Sequence, residues 1–149
     1  MHRTLGTLAL LLGLAACGSE TTPDADILHA PPPVEQVALL SGTAAGGEVT
    51  STPTRLPDDA AAQEYAARFG AAGLRGEIVA AVKRAEVPDG RQLAAAVVAV
   101  GCDVPPRVVG TGSGDDLGVR AALPSPNTKQ CFAPITTVAL VLLPEQEVG

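Results

Sequence analysis

The sequence predicts an α+β fold: a small, mostly antiparallel β-sheet domain of five or six strands, with one or two helices inserted after the first hairpin. Two observations lead to this prediction. Apolar residues follow a helical period between Asp58 and Ala85. Before and after that region, short strand-like segments alternate with turns rich in Gly and Pro. A chain of 149 residues is long enough for one domain with its own core.

The first hairpin is predicted from two short strands, Val37–Ser41 and Glu48–Thr52. Gly46 and Gly47 lie between them, and such a pair suits the positive φ angles of a hairpin turn. Pro53 ends the second strand, because proline has no N–H to donate to a sheet. We therefore expect the chain to reverse at the glycine pair.

Two helices are predicted next. Asp58 is suited to cap the N-terminus of the first helix. The apolar face of that helix consists of Ala62, Tyr65, Ala66 and Phe69. The apolar face of the second helix consists of Leu74, Ile78, Ala81, Val82 and Ala85. The turn Pro88-Asp89-Gly90 ends the helical region, because proline and glycine both favour turns.

The remaining strands follow in the second half of the chain. Leu93–Val100 is an uninterrupted run of eight apolar residues, which predicts a buried strand. Arg107–Val109 and Leu117–Ala122 are predicted to pair as a hairpin around the Gly- and Asp-rich turn Thr111–Asp116. Ile135–Leu143 begins with β-branched residues and is the last predicted strand.

The N-terminus has the most specific pattern in the chain. His2 and Arg3 precede the apolar run Leu5–Ala16, which ends in small residues, as secretory signal peptides do. Leu14-Ala15-Ala16-Cys17 resembles the lipobox of bacterial lipoproteins. That resemblance implies a diacylglyceryl group on the Cys17 sulfur, cleavage before Cys17, and an anchor on the extracytoplasmic face of the cell membrane.

The domain organisation follows from this pattern. We predict a signal peptide at 1–16, a lipidated cysteine with a Pro-rich tether at 17–33, and a single extracytoplasmic domain at 34–149. The apolar run is shorter than the roughly 20 residues that a transmembrane helix needs. An ordinary cleaved signal peptide remains the alternative.

Cys102 and Cys131 are predicted to form a structural disulfide. Each lies where an apolar strand meets a loop, and disulfides persist outside the cytoplasm. A redox pair is the competing interpretation, but its usual Cys-X-X-Cys spacing is absent.

No residue is predicted to be catalytic, to bind a cofactor or to ligate a metal. His29 is the one histidine that remains after signal removal, and it lies in the tether. The acidic pairs Asp58-Asp59 and Asp115-Asp116 could in principle form a calcium or glycosidase site, although helix capping and turn formation account for them. Gly110–Gly114 matches neither a phosphate-binding fingerprint nor a nucleophile elbow, and Asp103 is interpreted as a turn residue.

Charge limits the classes of partner. The precursor has a net charge of −6, and removal of the signal peptide also removes Arg3. No basic cluster is present, so nucleic acid binding is not expected, because it depends on Lys and Arg neutralising phosphates. The expected partners are the membrane, through the lipid anchor, and an envelope protein.

The body of the chain has looser resemblances. Val97–Pro105 and Cys131–Leu140 resemble segments of small lipoproteins of high-GC Gram-positive bacteria, which implies no known activity. The order of elements is similar to secreted protease-complex subunits of the PrcB type, but Cys102–Pro105 replaces that family's Gly-Gly-Tyr. The leading hypothesis is a non-enzymatic, lipid-anchored module that binds or stabilises another envelope component. An unfamiliar carboxylate-based envelope enzyme and a small-ligand-binding lipoprotein remain alternatives.

Overall fold

The structure is a computed structural model that describes residues 33–122 and 130–145. The predicted signal peptide, the lipidation site Cys17 and all of the tether except Pro33 lie outside the described residues. The same is true of the loop at 123–129 and the last four residues.

The described residues have the predicted α+β fold, with six strands and two α-helices in chain order. These elements are β1 (Glu35–Thr43), β2 (Thr54–Arg55), α1 (Asp59–Ala66), α2 (Ala72–Arg84), β3 (Arg91–Gly101), β4 (Arg107–Thr111), β5 (Gly118–Ala122) and β6 (Ile135–Pro144). A short 3₁₀ turn, Gly114–Asp116, connects β4 to β5.

Four strands form one antiparallel sheet in the order β1-β6-β3-β2, and β4 pairs with β5 in a separate antiparallel hairpin. The predicted first hairpin is therefore wrong. β1 pairs with β6, and β2 lies at the opposite edge of the sheet. The predicted strand Glu48–Thr52 is irregular, and the two-residue β2 follows it.

The glycine pair does not form a hairpin turn. Gly46 and Gly47 do have positive φ angles, of 77° and 98°. However, a Cβ on Gly47 would lie 3.1 Å from Cε1 of Phe69. The pair thus turns the chain away from β1 and allows its backbone to pass close to a buried ring.

The sheet is the middle of three layers. On one face, Ala95, Val97 and Leu140 pack against residues of α1 and α2. On the other face, Ala94, Ala96 and Ala139 pack in a cluster with Val119 of the β4-β5 hairpin. Because β3 and β6 are covered on both faces, their sequences are nearly continuous apolar runs rather than alternating patterns.

The helices form as the local pattern predicts. The Ala61 N–H donates to the Asp58 carboxylate at 2.8 Å, which confirms Asp58 as the N-cap of α1. The predicted apolar positions of the first helix are all buried, although α1 ends at Ala66 and Phe69 lies in the turn that follows it. The Arg75 guanidinium donates to the Phe69 and Gly70 carbonyls, so α2 supplies hydrogen bonds for the turn that follows α1.

Two adjacent threonines of β6 are almost completely buried and differ in their hydrogen bonding. Thr136 is 1% exposed, and its hydroxyl donates to the Gly46 carbonyl at 2.7 Å. Thr137 is 0% exposed, and its hydroxyl has no hydrogen-bond partner among the described residues. An unpaired buried hydroxyl costs about 1–3 kcal/mol of stability.

Replacing these threonines by valine should have opposite effects on stability. Thr137→Val removes the unpaired hydroxyl with little change of shape and should raise the free energy of unfolding by about 1 kcal/mol. Thr136→Val removes the hydrogen bond to the Gly46 carbonyl and should lower the free energy of unfolding by about 1 kcal/mol. Chemical denaturation of both variants measures the difference. Equal destabilisation by the two substitutions would contradict the unpaired state of the Thr137 hydroxyl.

Tyr65 is the one tyrosine of the chain and lies in the helix-side core. Its ring contacts Phe69 edge to face, with centroids 5.7 Å apart, and the Arg68 guanidinium lies 5.0 Å from its centroid. Burial raises the pKa of Tyr65 to about 12, and the Arg68 charge opposes part of that rise. A raised pKa means that the native state retains the phenol proton after the unfolded chain has lost it.

Stability should therefore fall as the pH rises from about 10, where the unfolded tyrosine ionises, to about 12. Because the chain has one tyrosine and no tryptophan, tyrosinate absorbance reports on Tyr65 alone. We expect the native protein to titrate at higher pH than the denatured chain. A Tyr65→Phe variant should lose the tyrosine part of the pH dependence, and coincident native and denatured titrations would contradict the burial argument.

Candidate functional site

The disulfide lies at one end of the sheet. Cys102 follows β3 and Cys131 precedes β6, and their Cα atoms are 5.3 Å apart, within the usual range for a disulfide. The predicted bond between these cysteines is confirmed. Because Gly101 pairs with Ile135, the bond continues the contact of β3 and β6 beyond the last paired residues.

The bond also fixes the third layer of the fold. The chain between the two cysteines includes β4 and β5, which form the hairpin on the second face of the sheet. The cysteines are separated by 29 positions, for which the chain-entropy model gives a stabilisation of about 3.5 kcal/mol. The disulfide therefore closes the base of the segment that covers this face.

A fully exposed aromatic side chain lies beside the disulfide. Phe132 has a relative exposure of 111%, and Val104, two residues after Cys102, is 46% exposed. We call this surface, formed by Cys102, Val104, Cys131 and Phe132, the disulfide tip. Sequence reasoning did not single it out. The sequence did contain a sign that Phe132 differs from the other aromatic residues. Tyr65 and Phe69 fit a helical period, whereas Phe132 follows a cysteine and belongs to no such pattern.

The disulfide tip and the start of the domain lie at opposite ends of the sheet. β1 begins with Glu35, which pairs with Leu142, and ends with Thr43, which pairs with Ile135. Pro33 therefore lies near the end of β6, whereas the disulfide lies near its start. A nine-residue strand spans about 30 Å, so the two ends are separated by that order of distance.

A cleft lies at the end of the sheet opposite the disulfide tip. We call it the Pro33 cleft; its volume is about 780 Å³. Its walls are mainly apolar, with Arg55 and Glu145 as charged groups and with hydroxyls from Thr52 and Ser113. The lining residues are Pro33, Thr52, Pro53, Arg55, Ser113, Gly114, Leu117, Leu143, Pro144 and Glu145.

A second cleft, of about 530 Å³, lies on the helix side of the same end of the sheet. Arg55 and Glu145 line both clefts. Asp58 and Asp59 also line it. Both of these carboxylates already have partners: Asp58 accepts from the Ala61 N–H, and Asp59 lies 3.6 Å from the Lys83 ammonium. The carboxylates of Asp58 and Asp59 therefore have structural roles.

The other polar residues considered from the sequence belong to turns. Asp116 lies in the 3₁₀ turn between β4 and β5, and Asp103 directly follows the disulfide. A Cβ on Gly112, where φ is +72°, would meet the Asp116 carbonyl oxygen at 2.2 Å. Glycine is thus required there by the close passage of the backbone, which agrees with the predicted turn between the two strands of this hairpin.

The described part of the chain contains no cluster of three or more His, Cys, Asp or Glu residues that could hold a metal ion. No helix in the described ranges is long and apolar enough to span a membrane. The chain matches no known protein-family model, and neither curated proteins nor solved structures include a match to it.

Proposed function

We propose that this chain is a lipid-anchored extracytoplasmic protein that binds another protein of the cell envelope through the disulfide tip. The observation that carries the proposal is the fully exposed Phe132 beside the Cys102–Cys131 bond. The anchor is proposed at Cys17, from the lipobox resemblance of Leu14-Ala15-Ala16-Cys17.

The disulfide supports an extracytoplasmic location, because such bonds persist in oxidising compartments and are rare in the cytosol. An anchor at Cys17 would attach the domain near Pro33, at the end of the sheet opposite the disulfide tip. Two acyl chains on Cys17 would hold the protein stably, since a single chain gives only marginal membrane binding.

The disulfide tip has the properties of a protein-binding anchor. Aromatic residues are enriched at the centres of interfaces, where a few side chains provide most of the binding energy. Phe132 projects from a segment that the disulfide and β6 hold at both ends, so little backbone entropy is lost on binding. The net charge of −6 offers no attraction to anionic lipid headgroups, which favours a protein pocket over a bilayer as the site that receives the ring.

A small-ligand-binding lipoprotein is the second candidate, because the Pro33 cleft falls within the usual size range of ligand pockets, about 300–1,000 Å³. Its apolar walls and the Arg55 guanidinium suit a ligand with an apolar body and a carboxylate or phosphate group. The carboxylate-based enzyme has less support, since Asp58 and Asp59 in the second cleft already have partners.

Substitution of Cys17 tests the anchor. A Cys17→Ser chain should lose metabolic palmitate labelling and leave the membrane fraction, because the thioether that holds the lipid cannot form. The matched control is Cys102→Ser/Cys131→Ser, which removes the other cysteines and should keep both the label and the membrane association. Retention of label by the Cys17→Ser chain would refute the proposed anchor.

Photo-crosslinking on intact cells tests the disulfide tip. A photoreactive residue at Val104 of the full chain should give one discrete product, identifiable by mass spectrometry as a second envelope protein. Adding Phe132→Ala should lower the yield more than tenfold, because truncation of a binding anchor costs about 2 kcal/mol or more. Arg120→Ala, at an exposed position of β5, is the control and should leave the yield unchanged.

A yield at Val104 that is insensitive to Phe132→Ala would contradict binding at the disulfide tip. Val87 is 47% exposed and precedes β3 near the Pro33 end of the sheet. An equal yield of the same product from a photoreactive residue at Val87 would also contradict binding at the disulfide tip. The melting temperature of each variant shows whether a loss of yield reflects unfolding.

A further inference from the structure

The two edges of the four-stranded sheet are built differently. At one edge, β2 has two residues, carries Arg55, and has Pro53 and Pro57 close on either side. Very short edge strands, charges and prolines are the features by which proteins prevent a further strand from pairing. The β2 edge is therefore closed to strand addition.

The opposite edge has almost none of these features. β1 is nine residues long and contains no Pro, Lys or Arg, and Glu35 is its one charged residue. Among the described residues it pairs with β6 on one side only. The N–H and C=O groups on its other side therefore face outward along most of its length.

Both hydrophobic clusters remain partly open at this edge. Ala38 and Leu40 pack against the cluster beneath the helices, and Leu39 packs against the cluster beneath the β4-β5 hairpin. All three side chains are only half-buried, whereas the facing residues of β6 are fully buried. An additional strand beside β1 would extend both clusters and bury these side chains further.

We propose that β1 pairs in antiparallel fashion with β1 of a second copy of this chain, which joins two four-stranded sheets into one. Antiparallel pairing of identical strands obeys two-fold symmetry, the commonest symmetry of protein dimers. It also places the two Glu35 carboxylates at opposite ends of the pair, each towards Thr43 of the other copy. From Gln36 to Thr43 the strand is thus an uncharged surface on a chain whose net charge of −6 opposes association elsewhere.

An irregularity in β1 limits the possible registers between the two β1 strands of the dimer. The pairing of β1 with β6 shifts between Gln36 and Ala38, which indicates a β-bulge at this point. Bulges disturb the ladder and bend the strand. The regular part of the edge is therefore Ala38–Thr43, and the two-fold axis should pass close to Leu40 and Ser41.

Cysteine crosslinking of the purified full chain in detergent tests the proposal. Ser41→Cys replaces an exposed residue near the axis and should give a disulfide-linked dimer on a non-reducing gel after mild oxidation. Val49→Cys, at a residue that is 53% exposed and lies outside β1, is the control with the same native cysteines and should remain monomeric. Dimer yield from Ser41→Cys no greater than from Val49→Cys would overturn the proposal.

A second measurement does not depend on crosslinking. Light scattering should give a concentration-dependent dimer for the unsubstituted chain and a monomer for Ser41→Lys, because two lysines would then meet across the axis. Val49→Lys is the control and should still form dimers. A monomeric unsubstituted chain at every concentration would refute the dimer, whereas the disulfide tip and the lipid anchor would be unaffected.

Discussion

Burial of β3 and β6 on both faces is the constraint on which the rest of the fold depends. Two central strands covered by helices on one side and by a hairpin on the other can carry almost no polar side chain. Within β3, Ala94, Ala95 and Ala96 are at most 1% exposed. Their small side chains allow layers to approach closely from both directions, so an alanine-rich run becomes the centre of the molecule.

Because the second face of the sheet must be covered, the disulfide that holds the covering hairpin is important for the fold. The hairpin that covers the second face forms a separate two-stranded sheet rather than extending the main one, although Val119 donates to the Ser51 carbonyl at 2.7 Å. An isolated two-stranded hairpin is marginally stable in water. Packing on β3 and β6, together with the Cys102–Cys131 bond at its base, therefore holds the hairpin against the main sheet, with which its strands do not pair.

The sequence was most informative where structure depends on neighbouring residues. The N-cap Asp58 and the apolar faces of both helices are local patterns, and the two buried strands could be recognised by their composition. The first hairpin could not be excluded, because β1 pairs with a strand about a hundred positions later and nothing in its own sequence identifies that partner. The disulfide followed from the positions of two cysteines, whereas the exposure of Phe132 depends on how the chain folds around it.

The position of the last strand has a consequence for how the molecule is made. β6 lies between β1 and β3, so the last regular element among the described residues is also the one that joins β1 to the rest of the sheet. A growing chain that has not yet produced Ile135–Pro144 has no strand to which β1 can pair. Assembly of the four-stranded sheet must therefore wait until Ile135–Pro144 has been made, as expected for a topology dominated by pairings between distant residues. Until then β1 has no partner strand in this sheet, and β3 lacks the neighbour that separates it from β1.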